Sequence, residues 1–316
     1  MLLALGVAGL LGAVGAWWWR PSGQQRATLT GHAGPVWAVA FSADGALVAT
    51  GGEDGRVLLW DAASARRQGE LLGHEGSVHA LAFAPLGLLA SGGEDRSVRL
   101  WDVTGQRDQG ALGGHRDGVT CVALSADGKT LASGSRDRIV RLWRVDNKET
   151  KYNWSGHKGK VWCVAIAPDG RTVASGSEDT TVRLWQVASG RGEAVLRGHK
   201  SRVCGIAFAP DGRMLASAGR DGTVRLWDVA RRKELATLHG HRGRVVGIAF
   251  SPDGQLLATG GEDGLLRFWD LASRQKRSSL KGHQAGITSV AFAPDGRTVA
   301  TGSEDGTARL WDVPEE

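Results

Sequence analysis

Between residues 27 and 312 short apolar runs alternate with turn residues in a fixed order. The copy starting at Gly282 shows it: GHQAGITSVAFAPDGRTVATGSEDGTARLWD. Ile287 to Phe292 alternates as a strand, and Pro294-Asp295-Gly296 then turns the chain. Thr298 to Thr301 reads as a second strand, Asp305-Gly306 as a second turn, and Thr307 to Trp311 as a third strand. A weaker fourth strand falls between copies, as at Glu234 to Leu238.

Seven copies are present. A Gly-His pair ends in His32, His74, His115, His157, His199, His241 and His283, at steps of 42, 41, 42, 42, 42 and 42 residues. A tryptophan follows each: Trp60, Trp101, Trp143, Trp185, Trp227, Trp269 and Trp311. Self-similarity at this period predicts an all-β fold, a seven-bladed β-propeller of four-stranded antiparallel blades. The last copy stops short of an outer strand. Ala27 to Thr30 can supply it as an N-terminal clasp, which removes a free sheet edge.

The motifs resemble those of the WD-repeat (WD40) β-propeller family over about nine-tenths of the chain. Five copies keep the Trp-Asp dipeptide; the third has Trp143-Arg144 and the fourth Trp185-Gln186. The resemblance implies a hydrogen-bonded set of Trp, Ser or Thr, His and Asp in each blade. The hydroxyls are Thr50, Ser91, Ser133, Ser175, Ser217, Thr259 and Thr301. The aspartates are Asp54, Asp95, Asp137, Asp179, Asp221, Asp263 and Asp305. A partly buried carboxylate needs partners, and a histidine donor beside it meets that need. Sevenfold repetition argues against a catalytic triad, which is needed once. His79 and His239 have no metal-ligand spacing partner, and no P-loop is present. The expectation is a protein that is not an enzyme and holds no cofactor or metal.

Charge and cysteines add detail. The net charge is +6, and arginine sits two residues before the repeat tryptophan in six copies, so much of the excess belongs to strands. Cys121, Cys163 and Cys204 form no CxxC pair and read as small buried fillers of the innermost strands. The second copy is one residue short, reading Pro85-Leu86-Gly87-Leu88 at its first turn.

The resemblance also places two sets of loops on one face around the central opening, the usual contact surface of the family. Lys158 and Lys160, Lys200 and Arg202, and Arg242 and Arg244 occupy equivalent loops of three successive copies, and Arg136 and Arg220 precede repeat aspartates. Glu53, Glu94 and Glu304 make the opposite side acidic. Trp37 and Trp162 share an innermost-strand position that the family turns toward this face, and aromatics among cations are common interaction anchors. The expected partner is an acidic or phosphorylated protein or peptide; nucleic acid is the weaker alternative. Plain solvated surface is the competing reading of the lysines and arginines.

Residues 1–19, MLLALGVAGLLGAVGAWWW, carry no charge and as a helix would span about 28 Å, near the ~30 Å bilayer core. Trp17 to Trp19 and Arg20 form an interfacial edge. Ala4, Ala8, Gly12 and Ala16 form a small-residue stripe suited to contact with other transmembrane helices. The expectation is a single-pass anchor holding a cytoplasmic propeller at the membrane, and a scaffold or accessory subunit there. The alternative is a cleaved signal and a periplasmic or extracellular propeller. The chain thus divides into an anchor or uncleaved signal over 1–19, a linker over 20–26, the propeller over 27–312 and a tail over 313–316.

Overall fold

Each blade is a meander because its turns are chemically specified. In the first hairpin Asp44 accepts from the Ser42 hydroxyl and the Ala46 amide, and Gly45 takes φ 72°, a value that suits glycine. The same Asp-Gly device recurs at Gly128, Gly170, Gly212, Gly254 and Gly296. The short second copy instead makes a single 3-10 turn over Pro85–Gly87, with Leu86 at φ 62° and fully exposed.

The computed structural model describes residues 24–314. It holds twenty-eight strands in seven four-stranded antiparallel sheets, numbered here as blades 1 to 7 in chain order. In blades 1 to 6 the strands run consecutively from the centre outward. Blade 7 has three strands of its own and takes its outer strand from Gln25–Thr30, which pairs with Thr307–Asp312. This strand starts two residues earlier than the segment read from the sequence. Arg26 is skipped in the register, and its guanidinium reaches the Thr298 hydroxyl and the Ala63 carbonyl.

The apolar core lies between blades rather than within them. Seven buried clusters occupy the seven blade interfaces, and each repeat tryptophan packs on the preceding blade. Trp185 of blade 4, for example, lies among Leu142, Val140 and Trp154 of blade 3. Trp154 is stacked 5.2 Å from Trp185, and its N–H donates to the Gly190 carbonyl. It is an outer-strand core residue, as its place in the leucine register of the other copies suggests.

A bulge recurs at one place in every innermost strand. The register skips Trp37, His79, Thr120, Trp162, Cys204, Val246 and Thr288, one per blade. A bulge leaves one residue unpaired and re-aims its side chain. All seven residues line the central cavity, so the bulge builds the mouth of the channel.

The expectation of a transmembrane helix ahead of the propeller is corrected. Among the described residues no helix is long and apolar enough to cross a membrane; the sole helical piece is the Pro85–Gly87 turn. Over the described residues the fold class is the all-β propeller, and single-pass membrane localisation is not supported. Residues 1–19, which carried that expectation, lie outside the described residues.

Candidate partner-binding face

The belt of repeat residues decides which polar groups are committed to the fold. In blade 5 Trp227 donates its indole N–H to the Ser217 hydroxyl at 2.8 Å, and that oxygen lies 2.8 Å from His199 Nε2. His199 Nδ1 lies 3.1 Å from Asp221. One assignment satisfies every contact: the indole donates to Oγ, the hydroxyl donates to Nε2, and Nδ1–H donates to the carboxylate. Asp221 further accepts from the Lys200 and Thr223 amides and the Thr223 hydroxyl. The same four groups meet in every blade, with Nδ1 to carboxylate distances of 2.8–3.1 Å.

The electrostatics follow. Burial pushes these carboxyls up, but the hydrogen bonds they accept outweigh it. Asp54, Asp137, Asp179 and Asp305 end at about 2. Burial holds His74, His157, His241 and His283 below the usual imidazole value despite their carboxylate partners. Where the residue two beyond the aspartate lacks a hydroxyl, an arginine can stand in: Arg56 reaches Asp54 at 2.7 Å and Arg267 reaches Asp263 at 2.8 Å. All seven belt hydroxyls are 0% exposed, so no substrate reaches them.

The loops above the belt carry the cations. The amides of Lys158, Lys200 and Arg242 are tied to Asp179, Asp221 and Asp263, and their side chains are exposed. Lys160 and Arg220 are exposed as well. Among the described residues none of these five makes an ion pair.

Three other arginines behave differently. Arg136 is half-buried and bonds Glu94 of blade 2 at 2.6 Å, and Glu94 also receives His79 at 2.8 Å. Burial pushes the Glu94 carboxyl up, and His79 and Arg136 bring it below its ordinary value. Arg244 pairs with Glu304 of blade 7. Arg202 is half-buried, has no carboxylate partner among the described residues and lies 4.2 Å over the Trp162 ring. Two of the acids read from the sequence as an opposing patch are thus neutralised across blade boundaries, and Glu53 remains exposed.

At the centre is a cavity of about 470 Å³ with walls from all seven blades. Its collar is Trp37, His79, Arg136, Trp162, Arg202 and Arg244, with Trp37 and His79 rings 6.0 Å apart. Its throat includes Cys121, Cys163 and the apolar Val122 and Ile206. Burial pushes the Cys121 thiol up to about 12, so it stays protonated at neutral pH. No group of three or more metal-ligating side chains occurs among the described residues.

Trp37 and Trp162 differ from the other tryptophans. Of the ten described, seven donate to belt hydroxyls and Trp154 donates to a carbonyl. The N–H groups of Trp37 and Trp162 are buried and have no acceptor among the described residues. A buried donor left unmade costs roughly 1–3 kcal/mol. Spacing along the chain marked both residues, but not this deficit. Nor did it show the Arg136–Glu94 and Arg244–Glu304 pairs, which join residues 42 and 60 positions apart.

Comparison with known proteins agrees with this geometry. The family model described as the IFT122 first beta-propeller matches residues 88–312, and the WD domain, G-beta repeat model matches 23–61 and 66–102. The chain belongs to the IFT122-type WD40 β-propellers. Curated relatives match over short stretches. Small ribosomal subunit protein RACK1z of Arabidopsis thaliana is 50% identical over 60 residues, 19% of this chain and 18% of that protein. Periodic tryptophan protein 2 homolog of Dictyostelium discoideum is 38% identical over 76 residues, 24% of this chain and 8% of that protein. The chain therefore spans less than a fifth of the length of these relatives. WD40 propellers of this kind are generally non-catalytic scaffolds for protein–protein interaction.

Proposed function

We propose that this WD40 propeller is a non-enzymatic scaffold that binds an acidic or phosphorylated segment of a protein partner on the channel-mouth face. The supporting observation is the row of exposed cations that make no ion pair among the described residues, Lys158, Lys160, Lys200, Arg220 and Arg242, on adjacent loops of blades 4 to 6. Cations held on a rigid ring attract an acidic chain from solution and then bond its oxygens by charge-assisted contacts. The first named relative is called a small ribosomal subunit protein, which is an assembly role for that protein; docking within a larger assembly is the corresponding proposal here.

The test is fluorescence anisotropy with a labelled octaglutamate peptide, with and without a central phosphoserine, at several salt concentrations. Binding should weaken steeply with salt, as the Debye length falls from ~10 Å at 0.1 M to ~3 Å at 1 M. The triple variant Lys160→Glu, Arg220→Glu, Arg242→Glu should lose more than tenfold in affinity with an almost unchanged melting temperature, since exposed substitutions outside special features cost little. Equal affinity in the variant would reject this surface.

A further inference from the structure

The cavity at the centre of the face holds a mismatch that the exposed cations do not explain. Two tryptophan donors, Trp37 Nε1 and Trp162 Nε1, are shielded and have no acceptor among the described residues. Beside Trp162 lies Arg202, half-buried, without a carboxylate among the described residues, its Nε also unpaired. All three line one cavity. An unpaired Nε by itself signals little, because five strand arginines share it. An unpaired indole does signal something, because the eight other described tryptophans are all satisfied.

We infer that the channel mouth is an oxyanion subsite: one carboxylate or phosphate of the partner segment enters it, held by the Arg202 guanidinium and, as side chains at the mouth shift to uncover it, by Trp162 Nε1–H, with Trp37 as a second donor. The inference rests on the reading of the partner as acidic and names the point where it is anchored.

Three features of the wall fit this occupant. What is lacking is acceptors, so the incoming group must accept and not donate. The uncompensated charge is positive, so that group must be anionic. The carboxylates that could have filled the role are spent, Glu94 on Arg136 and His79, and Glu304 on Arg244. The volume, about 470 Å³, admits a side chain and its neighbours and falls within the usual range of ligand pockets. The recurring bulge supplies the means. It aims one side chain per blade at the mouth, and only blades 1 and 4 place an indole there.

The experiment uses the full chain and the same two peptides. Indole N–H resonances are followed by nitrogen-15 NMR, with Trp37→Phe and Trp162→Phe used for assignment. On titration with octaglutamate the Trp162 signal should move downfield with the Trp37 signal, while the belt indoles stay put. Trp162→Phe should weaken binding about tenfold, the worth of one hydrogen bond to a charged acceptor. Its melting temperature should hold or rise, because the ring stays and the unmet donor goes. A larger effect with the phosphoserine peptide identifies phosphate as the source of the oxyanion, and equal effects identify carboxylate.

If both indoles stay still and Trp162→Phe binds normally, while the triple charge reversal still loses affinity, the subsite is overturned and the surface reading survives. If neither peptide binds wild type, both fall. A single-stranded oligonucleotide that moves the two indoles more strongly than either peptide would overturn the assignment to a protein segment.

Discussion

Trp185 and Trp162 sit in the same blade and live under opposite rules. Trp185 belongs to the belt: it is 4% exposed, donates to Ser175 and packs on the preceding blade. Trp162 belongs to the mouth: it sits on a bulge, its N–H is unmet, and its face carries an arginine. The four belt groups recur in all seven blades, and each finds partners in its own blade. The mouth differs from blade to blade and leaves groups unsatisfied. Where a repeated architecture repeats its chemistry, that chemistry holds the fold together; where it varies and runs a deficit, as at the mouth, lies the partner site proposed above.

Acid should break the belt and so has the largest effect. The folded pKa values of its aspartates are depressed, so their contribution is complete above the unfolded value of 3.8 and is lost as pH falls toward about 2. The depressed histidines act in the same direction from pH 6.5 downward, because the unfolded state takes up their protons first. Melting temperature should therefore decline below pH 6.5 and collapse between pH 4 and 2, as calorimetry can show. A flat profile down to pH 3 would mean the belt contributes little.

Truncating one belt tryptophan comes next. Trp227→Ala removes a 2%-exposed ring from the interface of blades 4 and 5 and should cost about 3–5 kcal/mol in chemical denaturation. Trp162→Ala should cost clearly less, and equal losses would erase the distinction between belt and mouth.

Smaller effects come from the loops. Four blades place glycine after the repeat aspartate at positive φ (Gly55, Gly222, Gly264, Gly306), but Arg96, Arg138 and Thr180 stand there in blades 2 to 4 at φ 69°, 72° and 69°. A β-branched residue in this region is strained. Thr180→Gly should raise stability by about 1 kcal/mol, and a loss would show that the threonine side chain has a role. Last, Arg202→Ala removes the cation from the Trp162 ring, worth ~0.5–1 kcal/mol at an accessible site. A red-shifted tryptophan emission, absent in Trp162→Phe carrying the same change, is the readout.

The fold was legible because a repeat multiplies a weak signal. One run such as Thr307 to Trp311 is an ambiguous strand, whereas seven in register leave one architecture. The belt was legible for the same reason. The mouth was legible only as positions. Trp37 and Trp162 stood out as aromatics at a shared offset, but their unmet N–H groups depend on what faces them from other blades. Arg136 and Arg244 read as free cations because their partners, Glu94 and Glu304, lie in other copies. The hydrophobic run at 1–19 prompted a membrane assignment from length and composition, which the described residues do not support.

The outer strand of blade 7 sets a timetable for the molecule. Gln25 and Arg309 touch across 284 positions of chain. At ~5–20 residues per second, synthesis leaves roughly a quarter of a minute to a minute between the emergence of the two. Throughout that interval the first strand has no partner and each growing blade shows an open flank. Joining the ends of a flexible chain this long would cost roughly 5 kcal/mol of loop entropy, and blades formed in between lower that cost. Birth order and assembly order are therefore reversed at this seam: the first described strand made is the last to find its place.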